Sequence, residues 1–296
     1  MPRICIYTKN MTAKVVSVCN LKGGVGKTTI VMALAEYLAG DTMCGKRVLA
    51  IDLDPQSNLT SALMSEEVWE KQFESKKVTL PYLFKDPEYF FDNFLKNQDF
   101  IVNKNISNVR NRNSFTCLHL IPSSPKLFEI QEDLPLNYSS INLKPVELIR
   151  AIIKPLLKNY DYVLIDCPPN INQVTKSAFF ASDACIIPCV PNRMSIHGLD
   201  LLLEQIDKFN RYYIHGLKPV GTLISRYNRT IAQTENLNSI ITNPFYPQVF
   251  KTKILERAKI AETLELSNYL TYKQKYEDSH SSMIELAKEF IQRVGK

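Results

Sequence analysis

The sequence predicts a doubly wound α/β fold, a mostly parallel sheet flanked by helices. Two observations carry this. The first is the order strand, glycine loop, helix, strand over residues 14–54. It reads as the Val-rich run KVVSVCN (14–20), the glycines that follow it, the helical spacing of TTIVMALAEYLAG (28–40), and the buried run KRVLAIDLD (46–54). This is a βαβ unit, whose parallel strands need a right-handed crossover. The second is that the alternation continues almost to the end of the 296 residues, which builds one sheet with helices on its faces.

The remaining elements follow from the same pattern. Short apolar runs without polar alternation read as strands buried on both faces. CLHLIPSS (117–124), YDYVLIDCPP (160–169), ACIIPCVP (184–191) and KPVGTLISRYN (218–228) are such runs. Helices are expected for SIHGLDLLLEQIDKF (195–209), IAQTENLNSIIT (231–242) and SSMIELAKEFIQRV (281–294), and a late extended segment for FYPQVFKTKI (245–254). Residues 1–13 read as an N-terminal extension, with Met11 offering a second start. Residues 14–296 read as a single domain with a long insertion at about 62–115. In it, aromatic-rich helices (YLFKDPEYFFDNFL) lead into a polar, basic surface loop (NKNISNVRNRN). Connections of this length are usually functional or mobile.

Composition narrows the function classes. Hydrophobic residues make up 45% of the chain, which excludes wholesale disorder. A net charge of +6 with pI ≈ 8.8 permits an anionic partner without demanding one. The seven cysteines are odd in number and scattered through apolar runs. That pattern fits reduced, buried thiols in a cytoplasmic protein better than disulfides or a metal site. No apolar run approaches the ~20 residues of a membrane span, and the N-terminus lacks a signal-peptide core. The C-terminal helix carries Glu285 and Glu289 and no polybasic tail, so core packing is expected of it and no membrane association.

The chemistry concentrates in NLKGGVGKTT, Asn20 to Thr29. Gly26, Lys27 and Thr28 match the second half of a phosphate-loop pattern, with Gly23 and Gly24 before them. Leu21 stands where the ordinary pattern has its first glycine. The physical parts are kept. Glycines let backbone N–H groups converge on phosphate oxygens, and the helix that starts near Lys27 adds its positive end. Lys27 can reach the β- and γ-phosphates, and the Thr28 hydroxyl can ligate Mg²⁺. Val25 and Thr29 complete the candidate nucleotide-binding set. Asp52 and Asp54 lie at i, i+2 on a strand end and so share a face. Asp166 ends another strand, at the sheet edge where ligands bind in such folds.

These residues resemble the deviant Walker A ATPases of the ParA/MinD family, within the P-loop NTPases. KGGVGKTT looks like the family's phosphate loop, VLAIDLDPQSNLT (48–60) its second motif, and YDYVLIDCPP its Walker B. LIPSSPKL (120–127), IIPCVPNRMSIHGLDLLLEQI (186–206) and KIAETLELSNYL (259–270) resemble further family segments in the expected order. DLDPQSN and the Arg229–Thr230 pair fit the ParA partition branch best. The resemblance implies ATP and Mg²⁺ as cofactors. It implies that Lys22, the extra lysine, reaches across a homodimer to the partner's phosphates, and that Asp54 activates the attacking water. It puts Asp52 near the Mg²⁺ shell, Asp166 on Mg²⁺ through water, and the Asn228 amide against adenine.

It further implies a DNA-partition ATPase. The ATP-bound sandwich dimer would bind DNA non-specifically, and a ParB-like, centromere-bound partner would stimulate hydrolysis to reset it. The basic positions carried over are Arg229 and Lys259, with Lys251, Lys253 and Arg257 nearby. Glu256 intrudes on that patch, in ILERAK, where many relatives have a proline followed by basic residues. A MinD-like ATPase that positions a membrane or protein-complex cargo is the alternative. A nucleotide-dependent regulator without hydrolysis is a third reading, opposed by the presence of both Asp52 and Asp54.

Overall fold

Six parallel strands form the sheet, in the order β3-β2-β4-β1-β5-β6. They are β1 (Lys14–Val18), β2 (Val48–Asp52), β3 (Leu118–Ile121), β4 (Tyr162–Asp166), β5 (Ala184–Cys189) and β6 (Lys218–Ile224). The computed structural model describes residues 12–40, 43–104, 106–107, 109, 117–136, 138–265 and 269–295. Most of the N-terminal extension expected at 1–13, and most of the polar loop at 103–113, lie outside those residues.

Burial explains the strands. Every residue of β2, β4 and β5 is buried, as an unbroken apolar run requires when helices cover both faces of a parallel sheet. Each predicted strand overruns its observed carboxyl end. The ladder stops at Val18, Asp52, Asp166 and Ile224, and the apolar sequence continues into loops. Those overruns contain Asn20, Asp54, Ser225 and Arg226, which belong to the site described below.

Helix α1 (Lys27–Ala39) follows the glycine loop and is buried over nearly its whole length. It is apolar on all sides, as a helix enclosed between a sheet and other helices must be. Beyond Lys27 at its first position, one charge interrupts it. Glu36 is fully buried, and its carboxylate accepts from Lys275 Nζ at 2.7 Å, Tyr276 Oη at 2.6 Å and Ser107 Oγ at 2.5 Å. Lys275 is equally buried. This pair ties α1 to the segment that leads into the C-terminal helix. That helix, His280–Val294, buries Met283, Leu286, Ala287 and Phe290, so its apolar face is committed to the core.

Both edges of the sheet are covered, which removes the hazard of an open strand edge. At β3, Val102 pairs antiparallel with Leu120 through N–H···O bonds of 2.8 and 3.0 Å. Phe73, Leu80, Leu83, Phe84, Phe90 and Phe100 join the main core. The stretch expected as inserted helices is thus a cap on the β3 edge, built of short helices at Glu66–Trp69, Leu80–Lys85 and Pro87–Phe90. At β6, the segment around 249–255 runs alongside the edge, with parallel bridges Thr222–Val249 and Tyr227–Leu255. Glu289 accepts from the Lys251 and Thr252 backbone N–H groups at 2.8 and 2.9 Å, and Arg293 Nη2 donates to the Val249 carbonyl at 2.8 Å.

The helix Gln173–Ala181 has no counterpart among the helices expected from sequence. Its signal is local. The Asn172 side chain accepts from the Thr175 N–H at 3.0 Å as an N-cap, and Val174 and Ala178 repeat at i, i+4 on the buried side.

Candidate functional site

The site lies at the carboxyl ends of β1, β2, β4 and β6. The loop from Asn20 to Gly26 leaves β1 and enters α1, with Gly24 at φ 71° and Gly26 at φ 85°. Non-glycine residues rarely adopt that left-handed backbone, so these two positions explain the glycines. The loop is tied down on several sides. Asn20 Nδ2 donates to the Pro188 carbonyl at 2.6 Å, and Asn20 Oδ1 accepts from the Lys22 N–H at 2.9 Å. Ser225 Oγ donates to the Val25 carbonyl at 2.8 Å.

The two lysines of the loop are placed differently. Lys27 is buried, and its Nζ donates to the Lys22 carbonyl at 3.1 Å. Burial pulls its pKa below the usual lysine value, while Asp166 and Asp54 act in the opposite sense. Lys22 is half-buried, and its Nζ donates to Asn192 Oδ1 at 3.4 Å. It forms no ion pair among the described residues.

The acids sit beside Lys27. Asp52 and Asp166 are register partners on β2 and β4, so both carboxyls leave neighbouring strands at the same level. Asp52 is enclosed by Thr60, whose N–H and Oγ1 donate to its Oδ2 at 2.8 and 2.7 Å, and by the Asp54 N–H at 3.1 Å. Burial pushes its pKa up to about 7, Asp54 adds to this, and the Thr60 bonds oppose it. Asp54 is nearly buried, and its Oδ1 accepts from the Gln56 N–H at 2.9 Å. Burial raises its pKa, against the pull of that N–H and of Lys27.

Asp166 differs from both. It is fully buried, and neither carboxylate oxygen has a protein partner at full hydrogen-bond geometry, although the Thr28 hydroxyl is near enough to act on it. Burial, then the neighbouring Asp52, raises its pKa well above the carboxylate range, against the pull of the Thr28 hydroxyl and Lys27. An orphaned buried carboxylate beside a phosphate loop fits a hydrated cation. Among the described residues no three His, Cys, Asp or Glu side chains gather into a protein-only metal site. Mg²⁺ does not need one, because it is held by one or two carboxylates, waters and phosphate oxygens.

A pH effect follows. A carboxyl whose folded pKa exceeds its unfolded value binds more protons when native, so stability falls as pH rises through that interval. Without ligand, Asp166→Asn should therefore stabilise the protein at about pH 8 more than at about pH 5. The gain should be on the order of 1–3 kcal/mol, the cost of an unsatisfied buried polar group. Urea midpoints at the two pH values measure it. An equal effect at both would show that the carboxyl does not titrate in this range.

Phosphate loop and Asp54 open onto one cavity of about 580 Å³, which Lys22, Val25, Asp52, Asp166 and Asn228 do not line. Gly23, Gly24, Gly26, Lys27, Thr28, Thr29 and Asp54 line it, as the sequence motifs require of a single site. Gln56, Asn58, Ser225, Arg226 and Glu256 line it as well, without having been expected there. The family segment DLDPQSN contains the first two. The others arrive through tertiary packing and have no local signature. Asn228 is exposed at the edge of this group, and its Nδ2 is hydrogen-bonded to Glu256 Oε2.

The basic positions do not behave alike. Arg229, Lys251 and Arg257 are exposed, Lys253 is half-buried, and Arg257 also lines the cavity. Lys259 is engaged by Glu262 at 3.2 Å and Glu277 at 3.4 Å, with its ammonium 5.2 Å from the Tyr269 ring centroid. Glu256 does not oppose the lysines. It pairs with Arg226.

Comparison with known proteins agrees with this geometry. A family described as an AAA domain, AAA_31, matches residues 13–218. An uncharacterized protein of Mycobacterium tuberculosis is 30% identical over 287 residues, covering 96% of this chain and 80% of its own. The chromosome partitioning protein ParA of Myxococcus xanthus is 26% identical over 249 residues, covering 84% of this chain and 77% of its own. Among solved structures, the ATP complex of a Cyanothece McdA variant shares the fold with a TM-score of 0.72 at 24% identity, over 95% of this chain and 97% of that one. No helix among the described residues is long and apolar enough to cross a membrane. Sheet order, phosphate loop and matched sequence agree, and the chain belongs to the AAA_31 family of ParA/MinD-like P-loop ATPases.

Proposed function

We propose that the chain is a DNA-partition ATPase that converts ATP and water to ADP and phosphate, and whose ATP-bound homodimer holds DNA non-specifically. The observation that carries this reading is the division of labour on one loop. Lys27 is buried beside Asp54 and Asp166, and Lys22 is half-buried against a neutral amide, without an ion pair among the described residues. A second cation without an ionic partner suits a second triphosphate supplied by a facing subunit, where like charges would otherwise repel.

The roles follow from placement. The N–H groups of residues 23–29 and the α1 N-terminus cradle phosphates. Lys27 binds the β- and γ-phosphates of its own subunit. Thr28 and Asp166 hold Mg²⁺, and Asp52, committed to Thr60, stiffens the strand end that carries Asp54. When bound, Mg²⁺ neutralises charge that develops on the phosphates. Asp54 orients the attacking water. Asn228 reads the adenine edge. A ParB-like partner stimulates turnover, which releases the dimer from DNA, so the ATP-bound form resides on the nucleoid. The partitioning role in the name of the Myxococcus relative and the ATP bound to the Cyanothece neighbour support this assignment.

Arg229, Lys251, Lys253, Arg257 and Lys259 are the proposed phosphate contacts. Such contacts are point charges and salt-sensitive. Arg229→Ala should reduce the salt slope of DNA binding by about one. Lys259→Ala should reduce it less, because Glu262 and Glu277 already neutralise that ammonium. Binding isotherms on bulk duplex DNA with ATP, across a salt series, test this. Absence of salt-sensitive binding by the ATP-loaded protein removes the DNA half of the proposal.

A further inference from the structure

The loop after β6 grips the phosphate loop with two consecutive residues. Ser225 Oγ donates to the Val25 carbonyl at 2.8 Å, and Arg226 Nη1 donates to the Gly24 carbonyl at 2.9 Å. A trans peptide is planar, so its C=O and the N–H that follows point in opposite directions. Holding the Gly24 and Val25 carbonyls on these donors turns the Val25 and Gly26 N–H groups the other way. A carbonyl oxygen facing an anion repels it, whereas an N–H attracts it. Both peptides adjoin a glycine with positive φ, where a flipped alternative costs little without an external hold.

Arg226 is itself held. Its Nε donates to Glu256 Oε1 at 2.8 Å, Nη2 bonds the same oxygen, and Glu256 Oε2 accepts from Asn228 Nδ2. Arg226 has φ 49°, a left-handed conformation uncommon for arginine. Gln233 braces that turn. Its Oε1 accepts from the Asn228 N–H at 2.6 Å and its Nε2 donates to the Arg226 carbonyl at 3.4 Å. A residue kept in a sparsely populated region by this many contacts marks a functional constraint. Stability does not account for it, because an ion pair with side chains 53% and 36% exposed contributes little.

We propose that Ser225 and Arg226 are positioning residues that set the peptide planes of the phosphate loop for anion binding, with Glu256 as the holder of Arg226. The inference rests on reading the cavity as a triphosphate site, and it gives Glu256 a task that neither the phosphate-loop motif nor the surface patch assigns. It also separates positioning from plain electrostatics. Glu256 is a negative charge on the cavity wall, so if charge alone mattered its removal would tighten anion binding. If it holds Arg226, its removal weakens binding.

Calorimetric titration with Mg²⁺-tripolyphosphate and with Mg²⁺-ATP tests this, because tripolyphosphate carries no base. Arg226→Ala and Ser225→Ala should each weaken both ligands about tenfold, the scale of one hydrogen bond. Glu256→Ala should weaken both by roughly threefold or more, and Arg226→Lys should recover part of the Arg226→Ala loss. The unliganded unfolding midpoint of Glu256→Ala should stay within about 1 °C of wild type, as for an exposed pair. Tighter or unchanged tripolyphosphate binding by Glu256→Ala overturns the inference, and so does a loss confined to ATP. If wild type binds neither ligand, the nucleotide-site reading falls first and the inference with it. If wild type binds both and the variants match it, only the inference falls.

Discussion

Asp54→Ala should stop turnover and leave ATP bound. The Asp54 carboxylate lines the cavity beside Lys27, with Oδ1 fixed by the Gln56 N–H at 2.9 Å. That bond orients the group. Asp52 and Asp166 are worse placed for the same task. Asp52 is fully buried and commits its oxygens to Thr60 and the Asp54 N–H. Asp166 lies at the end of β4, between β2 and β1 and adjacent to Lys27 in charge, where a cation fits better than a water to be activated. A positioned carboxylate that assists proton movement from the attacking water is worth about 10²–10⁴ in rate. The expected fall in kcat for Asp54→Ala is of that size. The ATP dissociation constant should be unchanged or lower, because a negative charge near the phosphates is removed. Single-turnover hydrolysis with separately measured nucleotide binding distinguishes these effects. A variant that turns over like wild type removes Asp54 from the mechanism. A wild-type protein that binds ATP and never turns it over would favour a nucleotide-dependent regulator.

Much of this site is legible in the sequence, and the reason is covalent neighbourhood. Phosphate loop, α1, Asp52 at the end of β2 and Asp54 just past it lie within short sequence distances, and strand-end acids follow from apolar runs that stop. The helix Ile231–Thr242 is legible to the residue, because Thr230 caps it by accepting from the Gln233 N–H at 3.2 Å. What escapes is of two kinds. Strand ends read too long, since an apolar side chain does not report where its backbone loses a ladder partner. Asn20, Asp54, Ser225 and Arg226 all lie in those overruns. Side-chain commitments are invisible as well. Lys259 and Glu256 look like opposed members of one patch, and each is instead matched to a partner, Glu277 and Arg226, brought in by the packing of the C-terminal segment and the β6 loop. The stretch after residue 62 looks like an insertion because it is a long connection between two strands, and its aromatic residues pack partly on one another, as Phe90 does on Phe94 and Phe100. What the sequence does not show is that the stretch also joins the main core and bridges the edge strand through Val102 and Leu120.

Lys22→Ala should separate two functions that ordinary phosphate loops combine. Lys27 donates to the backbone carbonyl of residue 22, not to its side chain. Alanine keeps that carbonyl, so the inward lysine and the loop it braces should survive. Binding of ATP by the monomer should then weaken by no more than about threefold, well under the tenfold that about 1.4 kcal/mol represents. The side chain itself rests on Asn192 Oδ1 at 3.4 Å, a contact weaker than an ion pair and easily exchanged for a phosphate. Two triphosphates brought face to face repel strongly in a water-poor interface, and removing one cation per site removes the charge that offsets this. The ATP-dependent dimer should weaken by about 10²-fold or more, and turnover should fall with it, as loss of a single transition-state donor commonly costs. The sharpest comparison places both forms in the Asp54→Ala background, where ATP persists. Sedimentation with ATP should then give dimer for Asp54→Ala alone and monomer for the double variant. If the double variant dimerises equally well, Lys22 serves only its own subunit, and its ammonium is simply that of a solvated lysine.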